Sequence, residues 1–166
     1  MTARDRLANA RLYLVCDARP GAFLDAALRG GADLIQLRDK TLGDDGLVAA
    51  AGEFRDTGAL FILNDRPDLV DACGADGVHV GQDDADPASA RAAVGAERIV
   101  GRGAEGGRRG DQPFVVEGLV AQLHDVDAAA QRGVQEGRRA GVADEVEAGL
   151  RQAFPRGHPV SVASLR

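Results

Sequence analysis

"LIQLRDK", residues 34–40, is an apolar run that breaks within one short segment into glutamine, arginine, aspartate and lysine. Side chains alternate across a strand, so Gln36, Arg38 and Lys40 share one face and Ile35, Leu37 and Asp39 share the other. If the first face points to a barrel axis, an amide and two cations meet at the mouth. That combination suits an anion, most simply a phosphate or diphosphate. Lys40 is the single lysine of a chain that otherwise uses arginine for its fixed positive charges.

Working outward, "LYLVCD" (12–17), "DLIQLRD" (33–39), "ALFILND" (59–65), "GVHVG" (77–81) and "RIVG" (98–101) read as strands. Between them, "AFLDAALRGG" (22–31), "GLVAAAGEFRDTG" (46–58, interrupted by Gly52), "RPDLVDACG" (66–74) and "ADPASARAAVG" (85–95) read as helices. Asp86 is placed to cap the last of these ahead of Pro87. Such alternation implies right-handed βαβ units and a parallel sheet. An open doubly wound sheet and a (β/α)8 barrel both fit. No G-x-G-x-x-G follows the first strand, which weighs against a dinucleotide-binding fold. Polar residues gather instead at strand C-termini: Asp17, Arg38 to Lys40, Asn64 and Asp65, and Gln82 to Asp84. In a barrel those positions form the active-site rim. Carboxylates from separate loops beside a phosphate-binding pair point to Mg²⁺. Read singly, Asp83 and Asp84 fit a turn or helix cap equally well, and His79 fits strand packing.

Bulk properties bound the function. The 166 residues suit one domain, 45% apolar and 28% charged, and the net charge of -6 argues against nucleic acid as a partner. No stretch is apolar enough to span a membrane, and "MTARDRLANA" lacks the apolar core of a signal peptide, so a cytoplasmic location is expected. Cys16 and Cys73 are too few for a disulfide framework. Beyond residue 102 the character changes. "GRGAEGGRRGDQP" (101–113) carries no strand signal, "PFVVEGLVAQL" (113–123) fits a strand or a helix start, and 125–154 is a weakly helical stretch spoiled by glycines.

"LYLVCD", "QLRDK", "FILNDRPDL", "GADGVHVGQDD" and "RIVGR", in that order, closely resemble the thiamine-phosphate synthase family over about residues 12–102. The resemblance implies a (β/α)8 TIM barrel of the α/β class. It also implies Mg²⁺-dependent coupling of hydroxymethylpyrimidine diphosphate to hydroxyethylthiazole phosphate, with release of diphosphate through a pyrimidine-methyl cation. Carried over by motif, Gln36, Leu37, Arg38, Asp39, Lys40 and Asn64 would hold the pyrimidine diphosphate. Arg38 and Lys40 would act on its phosphates, and Asp65 and Asp84 would bind Mg²⁺. Two departures stand out. Gly103 occupies the place of a family serine, and the later loops that hold the thiazole phosphate have no counterpart. The expectation is an incomplete barrel of about five βα units (1–102) with an atypical tail (103–166), frameshifted or poorly ordered. Open sheet edges should then favour self-association. A non-catalytic remnant that holds diphosphate and Mg²⁺, and a thiazole tautomerase-like relative, are the alternatives.

Overall fold

A strand covered on both faces needs apolar side chains at both parities. Residues Leu12–Cys16 (β1, LYLVC), Leu34–Leu37 (β2, LIQL), Leu60–Asn64 (β3, LFILN) and Gly77–Val80 (β4, GVHV) are buried at every position. They run parallel, in sequence order, with a fifth strand at Ile99–Gly103 (β5). The computed structural model describes residues 2–18, 21–81, 86–103, 113–116, 119–125 and 160–165. A short helix, Ala3–Leu7 (α1), precedes β1. Helices at Gly21–Arg29 (α2), Asp44–Arg55 (α3), Val70–Cys73 (α4, entered through a 3-10 turn at Pro67–Leu69) and Pro87–Val94 (α5) join the five strands.

Strand alternation divides the core into two layers. Leu12, Leu14 and Cys16, Ile35 and Leu37, Phe61 and Leu63, and Val78 and Val80 pack under the helices against Phe23, Leu24, Leu47 and Phe54. Phe54 of α3 and Phe61 of β3 meet with ring centroids 5.5 Å apart. The opposite parity, Tyr13, Val15, Leu34, Leu60, Ile62 and Ile99, forms an inner cluster closed by Leu7 and Ala10 from the α1 region. The tripeptide Gly-Ala-Asp occurs before β2 and again before β4, and does the same work in both places. Asp33 accepts from the Leu12 amide, and Asp76 accepts from the Phe61 amide. Each fastens the start of the preceding strand to the one that follows.

Three sequence expectations change. First, α3 runs unbroken through Gly52, because Leu47, Ala51 and Phe54 supply a buried stripe that outweighs one glycine's low propensity. Second, β2 ends at Leu37, so Asp39 and Lys40 lie in the loop beyond the strand. Third, the five-strand sheet is not left open. Strands at Pro113–Val116 (β6), Leu119–Asp125 (β7) and Val160–Leu165 (β8) complete a closed eight-stranded barrel. All three enter antiparallel, β6 against β5, β7 against β6, and β8 between β7 and β1. An antiparallel pair needs only a short hairpin, whereas a parallel one needs a helical crossover. The edges from which self-association was expected are thus paired within the chain. Residues 125–154, read as weakly helical, lie almost wholly outside the described residues.

Gly77 pairs with Ile99 across β4 and β5. A Cβ there would stand 2.3 Å from the Ile99 carbonyl oxygen and 2.6 Å from the Ile99 Cβ. Gly77→Ala should therefore force the strands apart and cost about 1–3 kcal/mol, as overpacking commonly does. Chemical denaturation of the two proteins checks this, and an unchanged midpoint would show that the contact yields freely.

Candidate active site

The ends of β2 and β3 build the site. Gln36, 2% exposed, is the one polar residue of β2, and its parity turns it inward with the Tyr13 layer. Its Nε2 donates to Asn64 Oδ1 at 2.6 Å, and Arg38 Nη1 donates to the same oxygen at 3.0 Å. Asn64 Nδ2 donates to Asp65 Oδ2 at 2.5 Å. Lys40 reaches the same carboxylate oxygen through an ion pair. Gln36, Arg38 and Lys40 thus converge, as the strand pattern predicts, although Lys40 arrives from a loop.

Asp65 holds a left-handed backbone conformation, φ 59°, unusual for a residue with a side chain. Two bonds fix it there: its amide donates to the His79 carbonyl at 2.7 Å, and its Oδ1 accepts from the Gly81 amide at 3.1 Å. The carboxylate is 12% exposed, while the Lys40 side chain beside it is 59% exposed. His79 pairs with Asn64 across β3 and β4 and is buried. Burial pushes its imidazole down to about 4, with Arg38 acting in the same direction and Asp65 opposing. His79 is therefore neutral at neutral pH and presents no second cation beside Asp65.

Two members of the motif point elsewhere. The Leu37 side chain lies in the helix-facing layer, so only its backbone can reach a ligand at the rim. The Asp39 carboxylate is occupied in shaping the loop. Its Oδ1 accepts from the Thr41 amide at 2.9 Å and the Thr41 hydroxyl at 2.6 Å, and its Oδ2 from the Ala18 amide at 3.3 Å. Further out, Arg66 ties Asp44 at the start of α3 to Asp68, both at 2.6 Å. These two acids hold the guanidinium well above its ordinary range.

Asp65 offers hard carboxylate oxygens beside cationic groups, a donor type that suits Mg²⁺ shared with phosphate oxygens. Among the described residues no cluster of three or more metal-ligating side chains forms. Asp84, with Gln82 and Asp83, lies outside the described residues. Sequence reading missed Tyr13, whose hydroxyl donates to Gln36 Oε1 at 2.5 Å. Its parity with Val15, on the inner face of β1, was the available signal.

An α/β barrel with polar groups from adjacent strand ends gathered at its C-terminal rim is the class that this geometry defines. A family profile described as thiamine monophosphate synthase matches residues 12–112, and the chain belongs to that family. The thiamine-phosphate synthase of Streptomyces avermitilis is 42% identical over 127 residues, covering 71% of this chain and 59% of that protein. That of Thermobifida fusca is 46% identical over 110 residues, covering 61% of this chain and 50% of that protein. The chain spans about half the length of these curated relatives. A solved thiamine phosphate pyrophosphorylase from Pyrococcus furiosus is 30% identical with a TM-score of 0.46, over 54% of this chain and 48% of that one.

The Asp39 loop gives a pH prediction. Hydrogen bonds from the Thr41 hydroxyl first, then from nearby backbone amides, hold the Asp39 carboxyl below its ordinary range. A carboxyl depressed in the native state stabilises fully above its unfolded value, roughly 3.9, and that contribution is lost as pH falls through the native value. The Thr41 and Ala18 amides should lose hydrogen-exchange protection below about pH 4. In Asp39→Asn that acid-dependent step should vanish. Equal protection profiles in the two proteins would remove Asp39 as the loop's anchor.

Proposed function

We propose that this chain carries the pyrimidine-diphosphate half of a thiamine-phosphate synthase site. In that reaction hydroxymethylpyrimidine diphosphate couples to hydroxyethylthiazole phosphate and diphosphate departs. The supporting observation is the convergence at one rim of Arg38 and Lys40, from the end of β2, on Asn64 and Asp65, from the end of β3. Two cations that meet at a strand end beside a carboxylate match a leaving diphosphate with its counter-ion.

The residues divide the work by chemistry. Arg38 presents a planar fork of donors to phosphate oxygens, and Lys40 a compact charge on a flexible stem. Both neutralise negative charge as it builds on the departing diphosphate. Asn64 orients Arg38, and the ion pair with Asp65 holds Lys40 at the rim until an anion competes for it. Asp65, with Asp84, would hold Mg²⁺, which supplies charge neutralisation at the diphosphate when bound. Neutral His79 leaves the Asp65 charge to the cation and to Lys40.

Residues 1–102 form the synthase portion in this reading, and 103–166 an atypical tail whose first residues, to 112, still fall within the family profile. The family loops that seat the thiazole phosphate have no counterpart in that tail's sequence. Seating two reactants together can be worth about 7–11 kcal/mol of barrier, so turnover by this chain alone should be very low. A gene whose shifted frame encodes the family's missing loops would trace the tail to a frameshift.

Calorimetric titration with the pyrimidine diphosphate should show Mg²⁺-dependent binding. Arg38→Ala and Asp65→Ala should each weaken it about ten- to hundredfold, the scale of a lost charged hydrogen bond. Wild-type protein that binds no diphosphate with or without Mg²⁺ would defeat the assignment. Thiamine phosphate formation at ordinary enzymatic rates would instead show that the tail rebuilds the second half-site.

A further inference from the structure

The rim residues do not stand alone. Behind them a line of side chains runs inward across three adjacent strands. Tyr13 of β1 donates to Gln36 Oε1 of β2 at 2.5 Å, Gln36 Nε2 to Asn64 Oδ1 of β3 at 2.6 Å, and Asn64 Nδ2 to Asp65 Oδ2 at 2.5 Å. Tyr13 is 0% exposed, Gln36 2% and Asn64 6%.

Every bond in the line has its donor on the inner side and its acceptor toward the rim. Two amides are the only reversible members, since each can exchange its oxygen and nitrogen by rotation. A reversed Gln36 would set its oxygen against Asn64 Oδ1. A reversed Asn64 would set its oxygen against the Asp65 carboxylate and its N–H₂ against Arg38, which only donates. The outer end is fixed by charge: Asp65 demands a donor, and Arg38 demands an acceptor. The inner end requires a group that donates to Gln36 Oε1, and a phenol meets that need. Burial raises the Tyr13 hydroxyl well above its ordinary value, so it keeps its proton at any working pH, even with Arg38 nearby. Chains of hydrogen bonds aligned in one direction polarise one another, and a buried chain left incomplete is costly.

We propose that Tyr13 is a positioning residue for the rim, acting through Gln36 to fix the Asn64 amide on which Arg38 and Asp65 depend. It need not touch an anion or a cation. Its hydroxyl proton closes the inner end of the chain, and without that proton Gln36 Oε1 is left inside the barrel lacking its donor. The Gln36 amide then gains alternative rotamers, Asn64 follows, and the Arg38 fork loses its fixed acceptor. Tyr13→Phe keeps the ring and its packing and removes only the proton.

The test uses the fact that Tyr13 is the chain's single tyrosine. Protein grown with 3-fluorotyrosine therefore carries one ¹⁹F label, at the inner end of the line. Asn64→Ala, one side chain removed from the label, should shift that resonance, and Tyr13→Phe should shift the Asn64 side-chain amide signals in ¹⁵N spectra. A ¹⁹F resonance indifferent to Asn64→Ala, with Asn64 signals indifferent to Tyr13→Phe, would overturn the inference. These spectra require no ligand, and the fluorinated protein retains the phenol, so they decide the matter even if Tyr13→Phe folds poorly.

The binding arm rests on the proposed diphosphate reading. Inorganic diphosphate with Mg²⁺ should bind about tenfold more weakly to Tyr13→Phe. The same change made in a Gln36→Leu background should have no further effect, since the path through Gln36 is already cut. Equal losses in both backgrounds would show that Tyr13 acts by some other route. Failure of the wild-type protein to bind diphosphate would count against the proposed function, while the spectra still judge Tyr13.

Discussion

The Asn64 carbonyl oxygen accepts from Gln36 on one side and Arg38 on the other, while its amide nitrogen serves Asp65. That one planar group fixes a guanidinium and a carboxylate relative to each other at the end of β3. The next residue must then turn sharply to bring its side chain back over the rim. Asp65 does so in a left-handed conformation, secured by the His79 carbonyl and the Gly81 amide of the neighbouring strand. Aspartate and asparagine tolerate that conformation better than most residues, because their short polar side chains can bond locally. The rim thus combines a buried amide held by three partners with an exposed lysine.

The barrel beneath the rim is built in two ways. From β1 to β5 each strand returns through a helical crossover, and both strand faces are apolar. From β6 onward the strands pair antiparallel and need no crossovers between them. Antiparallel closure has a geometric consequence. Cys16 pairs with Val160, Asp125 with Ser161 and Gly103 with Phe114, so β5 and β7 end, and β6 and β8 begin, at the same end of the barrel as Arg38 and Asp65.

Alternating duties along residues 36–40 explain why the motif is dense. Gln36 and Arg38 address Asn64, and Lys40 addresses Asp65. Leu37 fills the helix-facing core, and Asp39 fastens the loop to Thr41 and Ala18. Every second residue faces the site, and those between hold the segment in place. A change at Asp39 can therefore alter the placement of Lys40 from outside the Gln36–Asn64–Arg38 network.

Periodicity in the sequence determined the five parallel strands, their helices, and the inward face of Gln36, because burial on both faces leaves an unbroken apolar signal that ends where the rim begins. The resemblance of "QLRDK", "LNDRPDL" and "GADGVHVG" to one family located Asn64 and Asp65 as their partners. Three things required the tertiary structure. Closure through β6 to β8 depends on edges of β1 and β5 that lie far apart along the chain, and on antiparallel pairings that strand periodicity does not specify. The role of Asp39 depends on a bend after β2 that alternation does not encode. The place of Tyr13 depends on register: only when β1, β2 and β3 lie side by side does a phenol on one strand become the inner end of a line that reaches a carboxylate two strands away.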